Sequence, residues 1–212
     1  MRIHAYCTDP THPVIPHLRK WVAAMQPLHD AALITRTEDA AGGDILFLVS
    51  ASEIVRQDVR SRYRAVIVLH ASALPKGRGW SPMVWQILEG AREITVAALT
   101  AEDRVDTGPI WAQRSFTVEA HELVDEIHAK LFAAELALMS DVVARFEEIE
   151  PMPQAADGAT YYRKRTPADS RIDPERSIAE QFDLLRICDP ERYPAFFELH
   201  GHRYRIRLDR LS

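Results

Sequence analysis

Two apolar runs, Ala65-Val-Ile-Val-Leu69 and Ile94-Thr-Val-Ala-Ala-Leu99, constrain this chain most, because each reads as a strand and together they bracket a polar stretch rich in glycine and proline. Strand and helix character alternate ahead of them. Residues 2–7, 31–35 and 44–50 read as strands and residues 16–25 as a helix, the succession expected of an α/β fold. Ser50-Ala-Ser-Glu53 predicts a capping box opening a helix that runs to about Tyr63, with Ser50 accepting from a backbone N–H and Glu53 reaching back. Ser81 as N-cap, Pro82 at the first helical position and Gly90 as a stop predict a short helix. Between positions 119 and 149, Leu123, Ile127, Leu131, Met139, Val142 and Phe146 recur every three or four residues, which predicts one long amphipathic helix across the sheet.

Pro151-Met-Pro153 and the small residues through Thr160 break this periodicity and read as a linker. The predicted division is therefore a domain over 1–150 and a linker with a small α+β extension over 151–212. In the extension, Ser177-Ile-Ala-Glu180 predicts a second capping box with a helix to about Ile187. His202-Arg-Tyr-Arg-Ile-Arg-Leu208 alternates like a strand, with Arg203, Arg205 and Arg207 on one face, most simply a solvated one.

Composition removes several classes. The formal charge of -5 gives no overall attraction to nucleic acid, and no apolar run reaches the roughly 18 residues of a membrane span. Met1-Arg-Ile-His-Ala-Tyr lacks the apolar core of a signal peptide, so a cytoplasmic setting is expected. Cys7 and Cys188, far apart and without ligand spacing, read as buried reduced thiols. The turn Thr8-Asp-Pro-Thr-His-Pro13 has no glycine, so the phosphate-cradling turn of dinucleotide enzymes is absent. His121, Asp125, Glu126 and His128 crowd one helix without H-E-x-x-H spacing, and no metal is implied.

Chemistry concentrates in His70-Ala-Ser-Ala-Leu-Pro-Lys-Gly-Arg-Gly-Trp-Ser-Pro82, followed by Asp106-Thr-Gly-Pro109. An imidazole and a carboxylate at strand ends stand where open α/β sheets keep their sites. Lys76-Gly-Arg78-Gly is either a diphosphate site or a surface loop, Trp80 either a pocket wall or a staple on the next helix, and Tyr161 and Tyr162 either stack on a base or pack.

These strings, with WQILEG, EITVAAL and EDRVDTGPI, resemble the formyltransferase superfamily, which includes methionyl-tRNA, phosphoribosylglycinamide and sugar N-formyltransferases. The resemblance covers roughly Leu46 to Gln113. A second stretch, Tyr162-Arg-Lys-Arg-Thr-Pro-Ala-Asp-Ser-Arg-Ile-Asp173, resembles the segment after the catalytic domain in the sugar and tRNA branches. The small size and the segment AEQFDLLRICDPERYPAFF are most similar to compact enzymes of nonulosonic (pseudaminic) acid biosynthesis.

The resemblance implies a Rossmann-like domain, mostly parallel with flanking helices. It also implies formyl transfer from 10-formyltetrahydrofolate to a nucleotide-linked amino sugar, expected to be a UDP-4-amino-4,6-dideoxy sugar. His70 would donate to the tetrahedral oxyanion and Asp106 would orient it and relay the proton. A nearby carboxylate favours the charged imidazole. Pterin contacts map to Ser50, Ala51, Ser52, Glu53 and Ile54, and to Glu102, Asp103 and Val105; acceptor contacts map to Lys76, Arg78, Trp80 and Tyr162. A small-molecule acceptor, no nucleic-acid or membrane partner and a possible homodimer complete the expectation. One departure stands out. Val68 occupies the place where the family has an oxyanion-binding asparagine, and the chain contains no asparagine at all. Ser72, Ser50, Gln113, a backbone N–H or a protonated His70 are the candidate substitutes, since losing one such donor costs about 10²–10³ in rate. The remaining alternatives are a silent relative that keeps the fold as a binding module, and an enzyme acting on an amino-acid-type amine.

Overall fold

A computed structural model describes residues 1–211 of the chain; Ser212, the end of the predicted extension, lies outside the described residues. Strands β1 (Arg2–Tyr6), β2 (Asp30–Ile34), β3 (Gly43–Leu48) and β4 (Tyr63–His70) run parallel, and β6 (Glu93–Thr100) and β7 (Ile110–Thr117) complete the sheet antiparallel, in the order β2-β1-β3-β4-β6-β7. The apolar runs made the central strands because both of their faces are covered. Ala65, Ile67 and Leu69 of β4 pack in the larger core with α1 (Ile15–Met25), α3 (Pro82–Leu88) and α4 (Val124–Ala144). Val66 and Val68 face the other way, toward Tyr6, Leu46, Leu48 and Val59 of α2 (Gln57–Arg60). Each fully buried Ile, Leu or Phe contributes about 1.5–3 kcal/mol relative to exposure, so the central strands hold the sheet together.

Three local expectations are overturned. Ser50 adopts a left-handed backbone, φ 51°, which is incompatible with the extended geometry of an N-cap. Glu53 instead accepts a hydrogen bond from the Tyr6 hydroxyl, the Ser52 N–H donates to Thr8 Oγ1 at 3.1 Å, and the helix is only the single turn of α2, with Tyr63 already in β4. Ser81 is also left-handed, φ 48°, and its side chain makes no cap, although Pro82 does begin α3 and Gly90, φ 91°, follows its end. The long helix is shorter than its periodicity, because Glu126 accepts the Leu123 N–H at 3.0 Å and starts it there. Phe146 lies beyond its end and stacks on Trp111 at 5.6 Å. No periodicity predicts a strand over β7, an edge strand without a fully buried residue.

In the extension the second capping box forms as expected: Glu180 accepts the Ser177 N–H at 3.1 Å and donates its own N–H to Ser177 Oγ at 3.3 Å. The chain then enters α5 (Phe182–Ile187) and the hairpin β9 (Ala195–Leu199)–β10 (His202–Ile206). Arg203 pairs with Glu198, and Arg205 and Arg207 with Glu191, all at the surface. Residues 152–162 run back along the first 150 residues: Met152 bridges to Ile110, and β8 (Tyr161–Tyr162) pairs in parallel with β5 (Arg78–Gly79). Among the described residues no helix is long and apolar enough to cross a membrane.

Glu135 on α4 is 3% exposed, and its Oε2 has no hydrogen-bond partner among the described residues. Burial pushes its carboxyl up to about 8 from the ordinary 4.5. The folded state therefore keeps a proton on Glu135 that the unfolded chain releases, so the contribution of this group to stability is fully present below about pH 4.5 and is lost as pH rises toward 8, by on the order of 1.4 kcal/mol per unit in that window. Urea midpoints measured at pH 5 and pH 8.5 will show the parent protein losing stability relative to Glu135→Gln as pH rises.

Candidate active site

His70 ends β4 with its side chain 7% exposed. Its Nε2 lies 2.8 Å from the Gly77 carbonyl, which can only accept, so that nitrogen carries a proton and donates it. Nδ1 faces Asp106 Oδ2 at 3.5 Å, within ion-pair reach but long for a hydrogen bond. Asp106 does not stand at a strand end as the sequence suggested; the hairpin loop 101–109 between β6 and β7 brings it to the ring. It adopts φ 55°, a left-handed conformation that short polar side chains tolerate. The same Oδ2 accepts the Gly79 N–H at 2.8 Å, so one carboxylate oxygen meets both the imidazole and the backbone of β5.

Two glycines of the motifs have steric reasons. A Cβ on Gly79, φ 96°, would sit 2.3 Å from the Tyr162 carbonyl oxygen, and one on Gly108 would sit 2.0 Å from that of Thr100. No other residue allows β5 to lie against β8 or the Asp106 loop to close on β6.

Of the oxyanion candidates, the structure brings only Ser72 to the ring's surroundings. Ser72 is 1% exposed and its Oγ has no partner among the described residues. It borders Gly77, where an added Cβ would lie 3.4 Å from that hydroxyl. An orphaned buried hydroxyl costs about 1–3 kcal/mol, a cost that a hydrogen-bonding ligand removes. Ser50 stays in the turn after β3, with no hydrogen bond to His70 or Asp106 among the described residues. Gln113 is exposed on β7; the register His70–Ala97–Gln113 puts it two strands, about 10 Å, from the imidazole. Val68 lies in the row Leu48–Val68–Leu99, half-buried and without a polar atom to offer.

That row, extended by Tyr6, forms an apolar floor between the two stretches expected to hold a pterin. Ala51 and Ala101 pack on the floor from either side. Glu53 and Ser52 are engaged with Tyr6 and Thr8, leaving Ile54 exposed. Arg60 Nη1 donates to the Ala101 carbonyl at 2.9 Å, Nη2 bonds Asp103, and Glu102 accepts from Thr107 at 3.2 Å, while Val105 is exposed. Tyr6, Leu48 and Leu99 are buried in this row and Val68 is half-buried.

The acceptor candidates separate. Lys76 points to solvent. Arg78 is 9% exposed and turned inward: Nε and Nη2 donate to Gln154 Oε1 at 3.2 and 2.6 Å, and Nη1 to the Tyr161 hydroxyl at 3.1 Å, which holds that phenol below its ordinary range. It is not a free cation for a diphosphate. Trp80 and Tyr162 line a depression with Gly79, Arg104, Val105 and Tyr161. Burial, and the 2.5 Å bond that its hydroxyl donates to Glu89, push Tyr162 up to about 12. The sequence reading missed Gln154, Thr160 and the Gly77 carbonyl, because a lone amide in a proline-rich stretch and backbone atoms leave no spacing signal. Thr160 Oγ1 accepts the Gly77 N–H at 2.8 Å.

The sequence and the fold have counterparts in known proteins. A family model described as formyl transferase matches residues 8–143. The chain is 31% identical over 145 residues to the methionyl-tRNA formyltransferase of Roseobacter denitrificans, covering 68% of this chain and 47% of that protein. It is 30% identical over 175 residues to that of Ruegeria pomeroyi, covering 82% and 58%. It thus spans about half the length of these relatives. Among solved structures, methionyl-tRNA formyltransferase from Clostridium thermocellum superposes with a TM-score of 0.83 at 22% identity, over 100% of this chain and 94% of the other. HypX from Aquifex aeolicus in complex with tetrahydrofolic acid gives 0.79 at 18%, over 96% and 36%. A sugar N-formyltransferase from Shewanella gives 0.74 at 14%, over 100% and 98%. His70 and Asp106 both fall inside the span that the family model matches, and the chain belongs to the formyl transferase family.

Proposed function

We propose that this protein transfers a formyl group from 10-formyltetrahydrofolate to the primary amine of a small nucleotide-linked amino sugar. The observation that carries the reading is the meeting of the buried side chains of His70 and Asp106, 36 positions apart in sequence, two residues before the buried and unpartnered hydroxyl of Ser72. The amine attacks the formyl carbon, a C–N bond forms, and the carbonyl oxygen becomes an oxyanion. Collapse breaks the bond to N10 of the folate, which takes up the proton that the amine gives up.

His70 and Ser72 supply donors for the oxyanion, and Asp106 accepts and passes on the proton. Ser72 takes the place of the amide that Val68 lacks. His70 Nε2 is held by Gly77, so the ring serves the oxyanion once that contact opens. The backbone of 50–54 and 101–106 holds the pterin over the Tyr6–Leu48–Val68 floor, as the solved tetrahydrofolate complex of a fold relative encourages.

For the acceptor, the depression of ≈ 460 Å³ beside Gly79, with Trp80, Tyr161, Tyr162 and the exposed Arg104, offers aromatic faces for a base and a cation for phosphate. A sugar N-formyltransferase of the same fold and similar length supports the small acceptor. The second reading is an amino-acid-type amine carried on tRNA, favoured by the names of the sequence relatives and opposed by a net charge of -5.

Incubation with 10-formyltetrahydrofolate and a panel of amino-sugar nucleotides will release tetrahydrofolate; release only with methionyl-tRNA would establish the second reading, and retained folate binding without turnover on any amine would mark a binding module. His70→Ala and Asp106→Ala will each lose about 10²–10⁴ in rate while keeping the circular dichroism of the parent. Val68→Asn will turn over faster if one donor is missing, by up to about 10²; slower turnover would show a pocket repacked around valine.

A further inference from the structure

The side-chain amide of Gln154 makes four hydrogen bonds, and every one goes to a loop that carries or holds a member of the reacting pair. Its Oε1 accepts from Arg78 Nε and Nη2 at 3.2 and 2.6 Å; its Nε2 donates to the carbonyls of Asp106 and Gly108 at 2.9 and 2.8 Å. The orientation of the amide is unambiguous, since a guanidinium only donates and carbonyls only accept. Arg78 belongs to β5, whose neighbours Gly77 and Gly79 contact His70 and Asp106; the other two carbonyls belong to the Asp106 loop itself. Two direct polar connections join the loops among the described residues, the 2.8 Å bond from Gly79 to Asp106 and the 3.5 Å ring-to-carboxylate contact. Gln154 lies beyond the residues 8–143 that the family model matches.

We propose that Gln154 is a positioning residue that fixes the His70 loop and the Asp106 loop against each other; the inference rests on the reading of His70 and Asp106 as the reacting pair. A half-buried amide with all its hydrogen-bonding capacity spent on two loops acts as a rivet between them, and its loss frees the left-handed Asp106 to rotate away from the ring. Misplacement of a reacting group by about 1 Å costs on the order of 10² in rate.

Gln154→Met keeps length and removes every hydrogen bond. In the full chain it is expected to lower kcat about 10–100-fold while KM for 10-formyltetrahydrofolate changes less than about threefold, since the pterin floor is untouched. Amide hydrogen exchange supplies a readout that needs no turnover: protection of the Gly79 N–H, held by Asp106, will be lost in Gln154→Met while protection in β3 and β4 persists. Arg78→Met combined with Gln154→Met will be no slower than the slower single variant, because both break one link. Unchanged kcat, or full Gly79 protection in Gln154→Met, overturns the proposal. If the parent protein formylates no amine, the formyl-transfer reading fails, and the exchange measurement alone decides whether Gln154 links the loops.

Discussion

One carboxylate oxygen organises the site. Asp106 Oδ2 faces the His70 ring and accepts the Gly79 N–H, so both ends of the 70–79 segment converge on one atom of a separate loop. A charge with its side chain 7% exposed is costly unless its partners are in place, and here the partners define the geometry. The rest of the fold serves that convergence. The parallel strands present His70 at the end of β4, and the antiparallel turn into β6 and β7 sends a hairpin loop back to meet it.

Val68 shows how packing and chemistry trade against each other in one row of a sheet. At a position flanked by Leu48 and Leu99, a valine continues the apolar floor, whereas an amide would need partners that this row lacks. Hydrogen bonding is instead left over one turn later, at Ser72, whose hydroxyl is buried without a partner.

What could be read from the chain followed the strength of burial. The strands β1 to β4 and β6 were legible because apolar runs have few other places to go, whereas β7 was not, since an exposed edge strand has little periodicity. The second capping box was legible and formed, but the Ser50–Glu53 version did not, because Tyr6 claims the Glu53 carboxylate and the chain turns left-handed at Ser50. Tertiary demand overrode a sound local rule. At the site, His70 and Asp106 carried a motif, but Arg78 looked like a free cation and is tied down by a glutamine 76 positions away. Long-range hydrogen bonds between single residues leave no local trace.

The pairing of β5 with β8 is only two residues long on each strand, yet it brings together parts of the chain about 83 positions apart. Short pairs of this kind are marginal on their own and are the first to open, whereas the six-stranded sheet beneath is not. The β5–β8 pair therefore depends on the side-chain hydrogen bonds around it, from Gln154, Thr160 and Asp106, more than on its own ladder. The segment after α4 thereby fixes how closely Gly77 lies against the imidazole, although it is distant from the ring in sequence.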